Sequence, residues 1–374
     1  MTYHFAMDVR RLGFFGIGTY IRNLVHALSR LDQANRYTLV TLPKTDPISD
    51  LGSNFSFVEF PRSDLDALQN ATFPLFVKKL KADLFHIPLN SVAYWMPRPY
   101  VVTIHDLSSI TGQAGGGVGG TLHAERYRRG AMRAARVITV SQATRRSLES
   151  ILGLAPERIR TIYSAPDPSF SILSRNIAVD EETLQRYSIQ RPFILYAGTI
   201  KPHKNVGRLI EAFAVIKAEL ENHPKYRDLR LVIIGDELSK FPAVRRAVFA
   251  TRMERHVRFL GFVPIETLRI FYGAAELFAF PSLAEGFGLA PLEAMACGTP
   301  VVASDLPALV EAVGDAAELV NPNSVFDVAR GLREVLLDED GRSRRIQEGR
   351  AQAARFHWDD TARQVLDVYL EIIS

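Results

Sequence analysis

Short apolar runs alternate with longer amphipathic stretches along almost the whole chain. This alternation is typical of parallel sheets whose strands are connected by helices. It predicts two successive α/β units, each of the doubly wound class, in which ligands bind beyond the carboxyl ends of the strands. The predicted strands of the first series are residues 3–8, 37–42, 84–87, 101–104, 137–140 and 159–162, and those of the second are 193–197, 231–234, 257–259, 277–280, 301–303 and 318–320.

Helical spacing of apolar residues appears between several of these strands. In residues 20–31, for example, Ile21, Leu24, Val25 and Leu28 share one face. The same criterion predicts helices at 206–220, 264–273, 289–297 and 358–373.

The 374 residues exceed what one ordinary core organises, so two domains are expected. Residues 164–190 are poor in long apolar runs and contain Pro166 and Pro168. We therefore predict a first domain at 1–175 and a second at 176–356, followed by a last helix within 357–374.

The amino-acid composition restricts the partners, the disulfides and the location that we expect for the protein. The net charge is +4 and the isoelectric point is near 9.1, which suits anionic partners without indicating nucleic acid. Cys297 is the single cysteine, so an intrachain disulfide is excluded and a packing role is expected for it. With neither a signal-like start nor a membrane-length apolar run in the sequence, we expect a cytoplasmic protein, with a peripheral position at the inner membrane face as an option.

The most informative loop follows the strand at 277–280. Gly286 and Gly288 lie at a strand-to-helix turn, where a backbone without side chains can approach an anion and a helix N-terminus offers N–H donors. Glu285 and Glu293 lie eight residues apart, the first in the loop and the second about two turns later, in the helix. They could bind the hydroxyls of a sugar and a ribose; the alternative is a capping Glu285 and a surface or paired Glu293.

The surrounding segment, PSLAEGFGLAPLEAMACGTPVVAS at 281–304, resembles the donor-site signature of glycosyltransferase family 4, also called glycosyl transferases group 1. The resemblance implies a GT-B fold, in which two Rossmann-like domains face each other across a central cleft and the final helix returns to the first domain. It also implies that Glu285 binds the donor sugar and Glu293 the ribose. The amides that would reach the sugar and diphosphate are those of Gly286, Phe287, Gly288 and Leu289.

A second loop, at 198–205, follows the strand at 193–197 and precedes a helix. Lys204 matches the family's lysine, which could neutralise the charge on a leaving diphosphate; the alternative is a solvated lysine. Thr199 stands where the family often has arginine, and Lys201 or His203 is a candidate to replace that contact. Asp236, after the strand at 231–234, could cap the next helix.

In the first half, His105 follows the strand at 101–104, and by resemblance it contacts the donor sugar. The alternative is a core or capping histidine that is hydrogen-bonded to Asp106. Gly16 and Gly18 resemble the family's N-terminal glycine loop near the diphosphate and the acceptor. Because Ile21 occupies the last position of G-x-G-x-x-G, a dinucleotide enzyme is disfavoured.

A run of arginines without an intervening acid follows the glycine-rich loop at 112–120. That loop, with Gly16, is where we expect the acceptor. The run could contact an anionic membrane, or it could be a solvated helix face. The arginines proposed for the membrane are Arg126, Arg128, Arg129 and Arg133, and the run continues with Arg136, Arg145 and Arg146.

The sequence has no Asp-x-Asp cluster that suggests a metal-held diphosphate, so no metal and no cofactor are expected. The resemblance implies a retaining hexosyltransferase with a nucleotide-diphosphate sugar as donor and a glycan or lipid-linked saccharide as acceptor. The G-T-x-x-P-x-K-N pattern at 198–205 resembles bacterial polysaccharide mannosyltransferases and favours GDP-mannose. The alternatives are a sugar-nucleotide epimerase and a non-catalytic sugar-nucleotide-binding protein.

Overall fold

The computed structural model describes residues 2–14, 16–64, 66–89, 91–107, 118–170 and 177–374, without the side chains of 118–123 and 177–178. The chain divides into two compact units. Unit 1 comprises Met1–Ser164 and His357–Ser374, and unit 2 comprises Ala165–Phe356.

Unit 1 is built on a parallel sheet whose described strands follow the order β3-β2-β1-β4-β5-β6-β7. Its strands are β1 (His4–Asp8), β2 (Arg36–Thr41), β3 (Phe55–Glu59), β4 (Leu84–Ile87), β5 (Tyr100–Ile104), β6 (Arg136–Thr139) and β7 (Ile159–Thr161). Its helices before the domain boundary are α1 (Ile17–Leu31), α2 (Gln69–Leu80), α3 (Val118–Arg133) and α4 (Gln142–Leu152).

Unit 2 repeats this plan with a parallel sheet in the order β10-β9-β8-β11-β12-β13. Its strands are β8 (Phe193–Gly198), β9 (Arg230–Gly235), β10 (Val257–Gly261), β11 (Leu277–Phe280), β12 (Val301–Ser304) and β13 (Ala317–Val320). Its helices are α5 (Ile177–Arg186), α6 (Val206–Glu219), α7 (Pro242–Ala250), α8 (Ile265–Ala274), α9 (Leu289–Ala296), α10 (Pro307–Val313), α11 (Val325–Leu337) and α12 (Glu339–Ala353).

The last helix, α13 (Trp358–Ile373), belongs to unit 1 and packs against α1. The Trp358 ring lies edge-on to Tyr20, with 5.7 Å between centroids. A buried hydrogen bond of 2.5 Å joins the Tyr369 hydroxyl to Nδ1 of His86 on β4. Apolar packing and a buried polar contact thus hold the end of the chain on the first sheet.

The central strands of both sheets are buried on both faces, which explains their nearly continuous apolar sequence. The predicted two α/β domains with parallel sheets are therefore confirmed. The edge strand β3 was missed by the sequence prediction because its Ser56, Phe57 and Glu59 are exposed and the segment lacks an apolar run.

Unit 2 begins earlier than the predicted second domain, which was placed after residue 175. Residues 171–176, around that predicted boundary, lie outside the described residues. Ala165 to Phe170 already belong to unit 2. The reason is packing, because the buried Phe170 ring lies edge-on to Tyr272 of α8, with centroids 5.5 Å apart.

The carboxyl ends of β8 and β9 approach each other unusually closely through paired glycines. Gly198 and Gly235 have φ of 150° and 153° and are partners in the ladder. A Cβ atom added to Gly235 would lie 1.9 Å from the Gly198 carbonyl oxygen. Close contact of the two backbones therefore requires glycine at position 235.

We expect Gly235→Ala to lower the free energy of unfolding by on the order of 3 kcal/mol, since strain and a backbone clash combine. The matched control is Gly261→Ala in the same unit, where φ is 68° but open space surrounds the added Cβ. That variant should lose only about 1 kcal/mol. Urea unfolding of both variants measures the difference, and equal losses would contradict the close-contact explanation.

No helix in the described part of the chain is both long and apolar enough to cross a lipid bilayer.

Candidate functional site

The switch point of the second sheet lies between β8 and β11, its two adjacent central strands. Connections leave these strands toward opposite sides of the sheet, which opens a crevice at their carboxyl ends. The loops that follow them are residues 199–205 and 281–288. These loops carry most of the residues that the sequence analysis selected.

Two contacts join these loops. The Leu283 amide donates a hydrogen bond to the His203 carbonyl at 2.7 Å. The Asn205 side chain donates to the Pro281 carbonyl at 2.9 Å and to the Pro322 carbonyl at 2.8 Å. Asn205 also has φ of 60°, a left-handed conformation that asparagine tolerates, and it ends the turn just before α6. The loops are therefore held in a fixed relation.

Lys204 and Glu285 meet where the two loops converge. Lys204 Nζ lies 2.6 Å from Glu285 Oε1, and the two side chains are only 16% and 11% exposed. Lys204 Nζ also lies 5.3 Å from the centroid of the Phe280 ring. The structure thus brings together a cation and a carboxylate that are 81 residues apart in sequence. Partial burial strengthens their interaction with each other and with a charged ligand.

The start of α9 lies directly after Glu285. Gly288 has φ of 137°, and a Cβ there would approach Leu309 Cδ2 to 2.9 Å. As glycine, it occupies the N-cap position without a side chain to bond the first-turn amides. Phe287 is buried, with its ring centroid 5.4 Å from that of Phe356, and this contact fixes the loop. The helix start, with Leu289 as its first residue, can therefore bind an anion.

Glu293 lies on α9 next to the buried hydroxyl of Tyr272, with 3.4 Å between the oxygens. Burial, with the negative charge of Asp167 nearby, raises the pKa of Glu293 to about 8. Folding therefore favours the protonated form, which can donate a hydrogen bond. A partner with hydroxyl groups, such as a ribose, would suit either protonation state.

The raised pKa of Glu293 predicts that the stability of the protein depends on pH. Since its folded pKa exceeds that of the unfolded chain, the native state binds more protons between the two values. Its stabilising contribution is complete below about pH 4.5 and is lost as pH rises through about 8. We expect Glu293→Gln to flatten the stability–pH curve in that window. Denaturant titrations from pH 4 to 9, with exposed Glu348→Gln as control, test this, and an unchanged slope would contradict it.

Thr199 and Asp236 shape the loop after β8. The Thr199 carbonyl accepts a 2.8 Å hydrogen bond from the buried Tyr196 hydroxyl. Asp236 accepts from the Ile200 amide at 2.8 Å. Asp236 therefore holds the neighbouring loop, and the helices that follow it have no side-chain cap, so the suggested capping role was wrong. Lys201 is exposed, and His203 is partly buried.

His105 lies in unit 1, at the end of β5. Its Nε2 donates to the Pro88 carbonyl at 3.2 Å, and its ring is edge-on to Tyr20, with centroids 4.7 Å apart. Burial lowers the pKa of His105 to about 4, although the Pro88 carbonyl and Asp106 favour the charged form. The imidazole is therefore neutral near pH 7 and held in one orientation.

Gly16 and Gly18 begin α1, beyond the carboxyl end of β1. Gly16 has φ of 68° in open space, and a Cβ at Gly18 would lie 2.3 Å from the Leu12 carbonyl oxygen. Both positions therefore favour glycine on backbone grounds. The two glycines and His105 belong to unit 1, whereas Thr199, Lys204, Glu285 and the α9 residues belong to unit 2.

The same end of the first sheet contains ion pairs that sequence reasoning missed. Arg10 bonds Asp8 at 2.6 Å with both side chains buried, and its guanidinium lies 3.8 Å from the Phe73 ring centroid. Arg11 pairs with Asp64 at 2.6 Å. The only sequence signal was two arginines and an aspartate close to a strand end. These pairs hold the loop that precedes Gly16.

Most arginines of the run after the 112–120 loop have partners within the protein. Arg126 donates to Ser91 at 2.8 Å, and Arg129 lies 4.5 Å from the centroid of the Tyr94 ring. Arg133 reaches the Tyr94 carbonyl at 3.5 Å, and Arg128 is partly buried. Of the predicted acceptor loop, residues 112–117 lie outside the described residues.

Cys297 is buried and approaches the Phe170 carbonyl with its Sγ at 3.2 Å, as a packing residue would. In the described part of the chain, no three His, Cys, Asp or Glu side chains are grouped so that they could hold a metal ion.

Comparisons with known proteins fit this arrangement. Residues 15–170 match the model of Glycosyltransferase Family 4, and residues 180–352 match that of Glycosyl transferases group 1. The chain is 32% identical to the O-antigen chain mannosyltransferase B of Escherichia coli over 62% of this chain and 60% of that protein. It is 30% identical to an uncharacterized glycosyltransferase of Methanocaldococcus jannaschii over 72% and 69% of the two chains.

A sucrose-phosphate synthase structure from Thermosynechococcus elongatus superposes with a TM-score of 0.79 at 20% identity, covering 99% of both chains. This likeness confirms the predicted GT-B fold class.

Proposed function

Because this chain belongs to the group 1 and family 4 glycosyltransferases, we propose that it transfers a hexose, with mannose favoured, from a nucleoside-diphosphate sugar to a glycan or lipid-linked saccharide. The observation that carries the proposal is the Lys204–Glu285 pair beside the glycine-opened start of α9. A cation, a carboxylate and the amides at a helix start, all at one switch point, are the groups that bind a sugar diphosphate.

We assign one role to each residue of the candidate site. Glu285 accepts hydrogen bonds from the sugar hydroxyls, and Lys204 lies against the diphosphate as negative charge grows on the leaving oxygen. The amides of Gly286 to Leu289 share that charge, and Glu293 binds the ribose. The neutral imidazole of His105 is oriented by its hydrogen bond to the Pro88 carbonyl. The imidazole and the nearby backbone contact the sugar. Gly16 and Gly18 leave room for the diphosphate and acceptor.

We further propose retention at the anomeric carbon and no requirement for a divalent ion, since a lysine and a helix start supply the positive charge. GDP-mannose is the favoured donor, which the E. coli mannosyltransferase relative supports. A cytoplasmic site of action and the membrane contact through Arg126, Arg128, Arg129 and Arg133 remain predictions.

A thermal-shift screen with nucleotide sugars, followed by transfer assays in EDTA, tests the proposal. We expect stabilisation by one nucleotide sugar, undiminished transfer in chelator and a product whose anomeric configuration, read by NMR, matches that of the donor. Loss of turnover in EDTA that added Mg²⁺ or Mn²⁺ restores would contradict metal independence. Conversion of the donor without acceptor would instead indicate an epimerase, and binding without hydrolysis or transfer would indicate a binding protein.

A further inference from the structure

Unit 1 presents an apolar and basic surface that the proposed transfer chemistry does not use. Leu68 and Leu75, one before α2 and one on it, are 60% and 64% exposed and lie seven residues apart, on one side of the helix. Trp95, in the segment between β4 and β5, is 61% exposed. Large apolar side chains grouped on a surface usually mark a binding region.

A groove of about 700 Å³ separates α2 from the Trp95 segment. Its lining includes Leu75, Trp95 and three cations, Lys78, Lys81 and Arg98, and contains no acidic residue. Each of these cations is exposed, and among the described residues none of them forms a salt bridge. The groove is therefore apolar along its walls and positive at its rim.

We propose that this surface, formed by Leu68, Leu75, Trp95, Lys78, Lys81 and Arg98, docks unit 1 on an anionic lipid bilayer. Tryptophan partitions to the level of the headgroups, exposed leucines enter the acyl boundary, and lysines and arginines attract anionic lipid. It is a different surface from the arginine run, in which Arg126 and Arg129 already contact protein groups.

The chemistry favours a bilayer over an acidic glycan. An acidic glycan has hydroxyls, carboxylates and short C–H ring faces, but no acyl chain that would cover Leu68 and Leu75. The long stems of Lys78 and Lys81 can cover apolar surface while their ammonium groups remain at the phosphates. The combination of aliphatic, indole and ammonium groups without a carboxylate therefore fits a lipid interface.

Co-sedimentation with vesicles tests the proposal without reference to activity. The full chain should sediment with vesicles of phosphatidylglycerol and phosphatidylcholine but much less with phosphatidylcholine alone. Removal of the three cations (K78A, K81A and R98A) should weaken this binding about a hundredfold, since each contributes roughly 1 kcal/mol. Removal of three exposed arginines from unit 2 (R245A, R246A and R255A) changes the net charge equally and should affect it far less.

Trp95→Ala and Leu75→Ala should each weaken vesicle binding several-fold, while Phe326→Ala, which removes a 77% exposed ring from unit 2, should not. The fluorescence of Trp95 also reports contact with the vesicle directly. The other tryptophan, Trp358, is 5% exposed, so a blue shift of emission and protection from acrylamide on vesicle addition would come from Trp95.

Equal binding by the triple-cation variant and its unit 2 control would overturn the proposal, as would unshifted Trp95 emission on sedimented vesicles. Loss of dextran sulfate binding by K78A, K81A and R98A with vesicle binding intact would assign the surface to an acidic glycan instead.

Discussion

Replacing Glu285 by alanine should reduce sugar transfer on the order of a thousandfold while the protein remains folded. The variant loses the carboxylate proposed to bind the sugar, and it removes the partner that positions Lys204 Nζ at 2.6 Å. Removing one preorganised polar group from an active site commonly costs a hundredfold to a thousandfold in rate, and here two functions are lost together. Initial rates at saturating donor, with circular dichroism as the check on folding, measure the effect.

Two further variants separate binding from structure. Glu285→Gln keeps the shape and one carbonyl acceptor, so it should retain more activity than alanine. Glu348→Ala, an exposed glutamate on α12, should behave as the unaltered enzyme. Near-normal turnover of Glu285→Ala, or a loss matched by Glu348→Ala, would refute the assignment of the donor site.

The sequence predicted much of this arrangement because hydrophobic patterning determines parallel strands strongly. The segments 84–87 and 277–280 were predicted with the observed bounds, since each is a fully buried, mostly apolar stretch between an acidic residue and a proline. Lys204 and Glu285 could be assigned to loops after strands. That the two strands are neighbours follows from the strand order, which sequence periodicity does not reveal.

The features that were missed depend on tertiary contacts. Among the described strands, the edge strand β3 pairs with β2 alone; it is half exposed, and its sequence lacks an apolar run. Asp8 and Arg10 form a buried pair whose burial is provided by Gln69 and Phe73 from α2, far along the chain. Asp236 accepts from Ile200, 36 residues away, although its position at a strand end suggested a local cap.

Lys204→Met should lower the rate of transfer on the order of a thousandfold, with a smaller effect on the binding of a nucleoside monophosphate than of a diphosphate. Methionine keeps most of the apolar stem against Phe280 but removes the charge that the leaving group requires. Because the Lys204 side chain is only 16% exposed, water does not replace the lost charge effectively. Calorimetric titration with GDP and GMP, beside initial rates, distinguishes a diphosphate contact from general damage to the site.

Lys201 provides the matched control, because it lies three residues earlier in the same loop and is exposed. Lys201→Met should retain nearly full rate and diphosphate affinity if Lys204 alone neutralises the leaving group. Lys204→Arg should recover part of the rate, since it restores the charge but places it on a planar, longer side chain. Equal losses in Lys201→Met and Lys204→Met would show that Lys201 also contacts the diphosphate, a contact that the uncharged Thr199 side chain cannot provide. A rate unaffected by Lys204→Met would remove this lysine from the mechanism and leave the charge on the leaving group to the start of α9 and to Lys201 or His203.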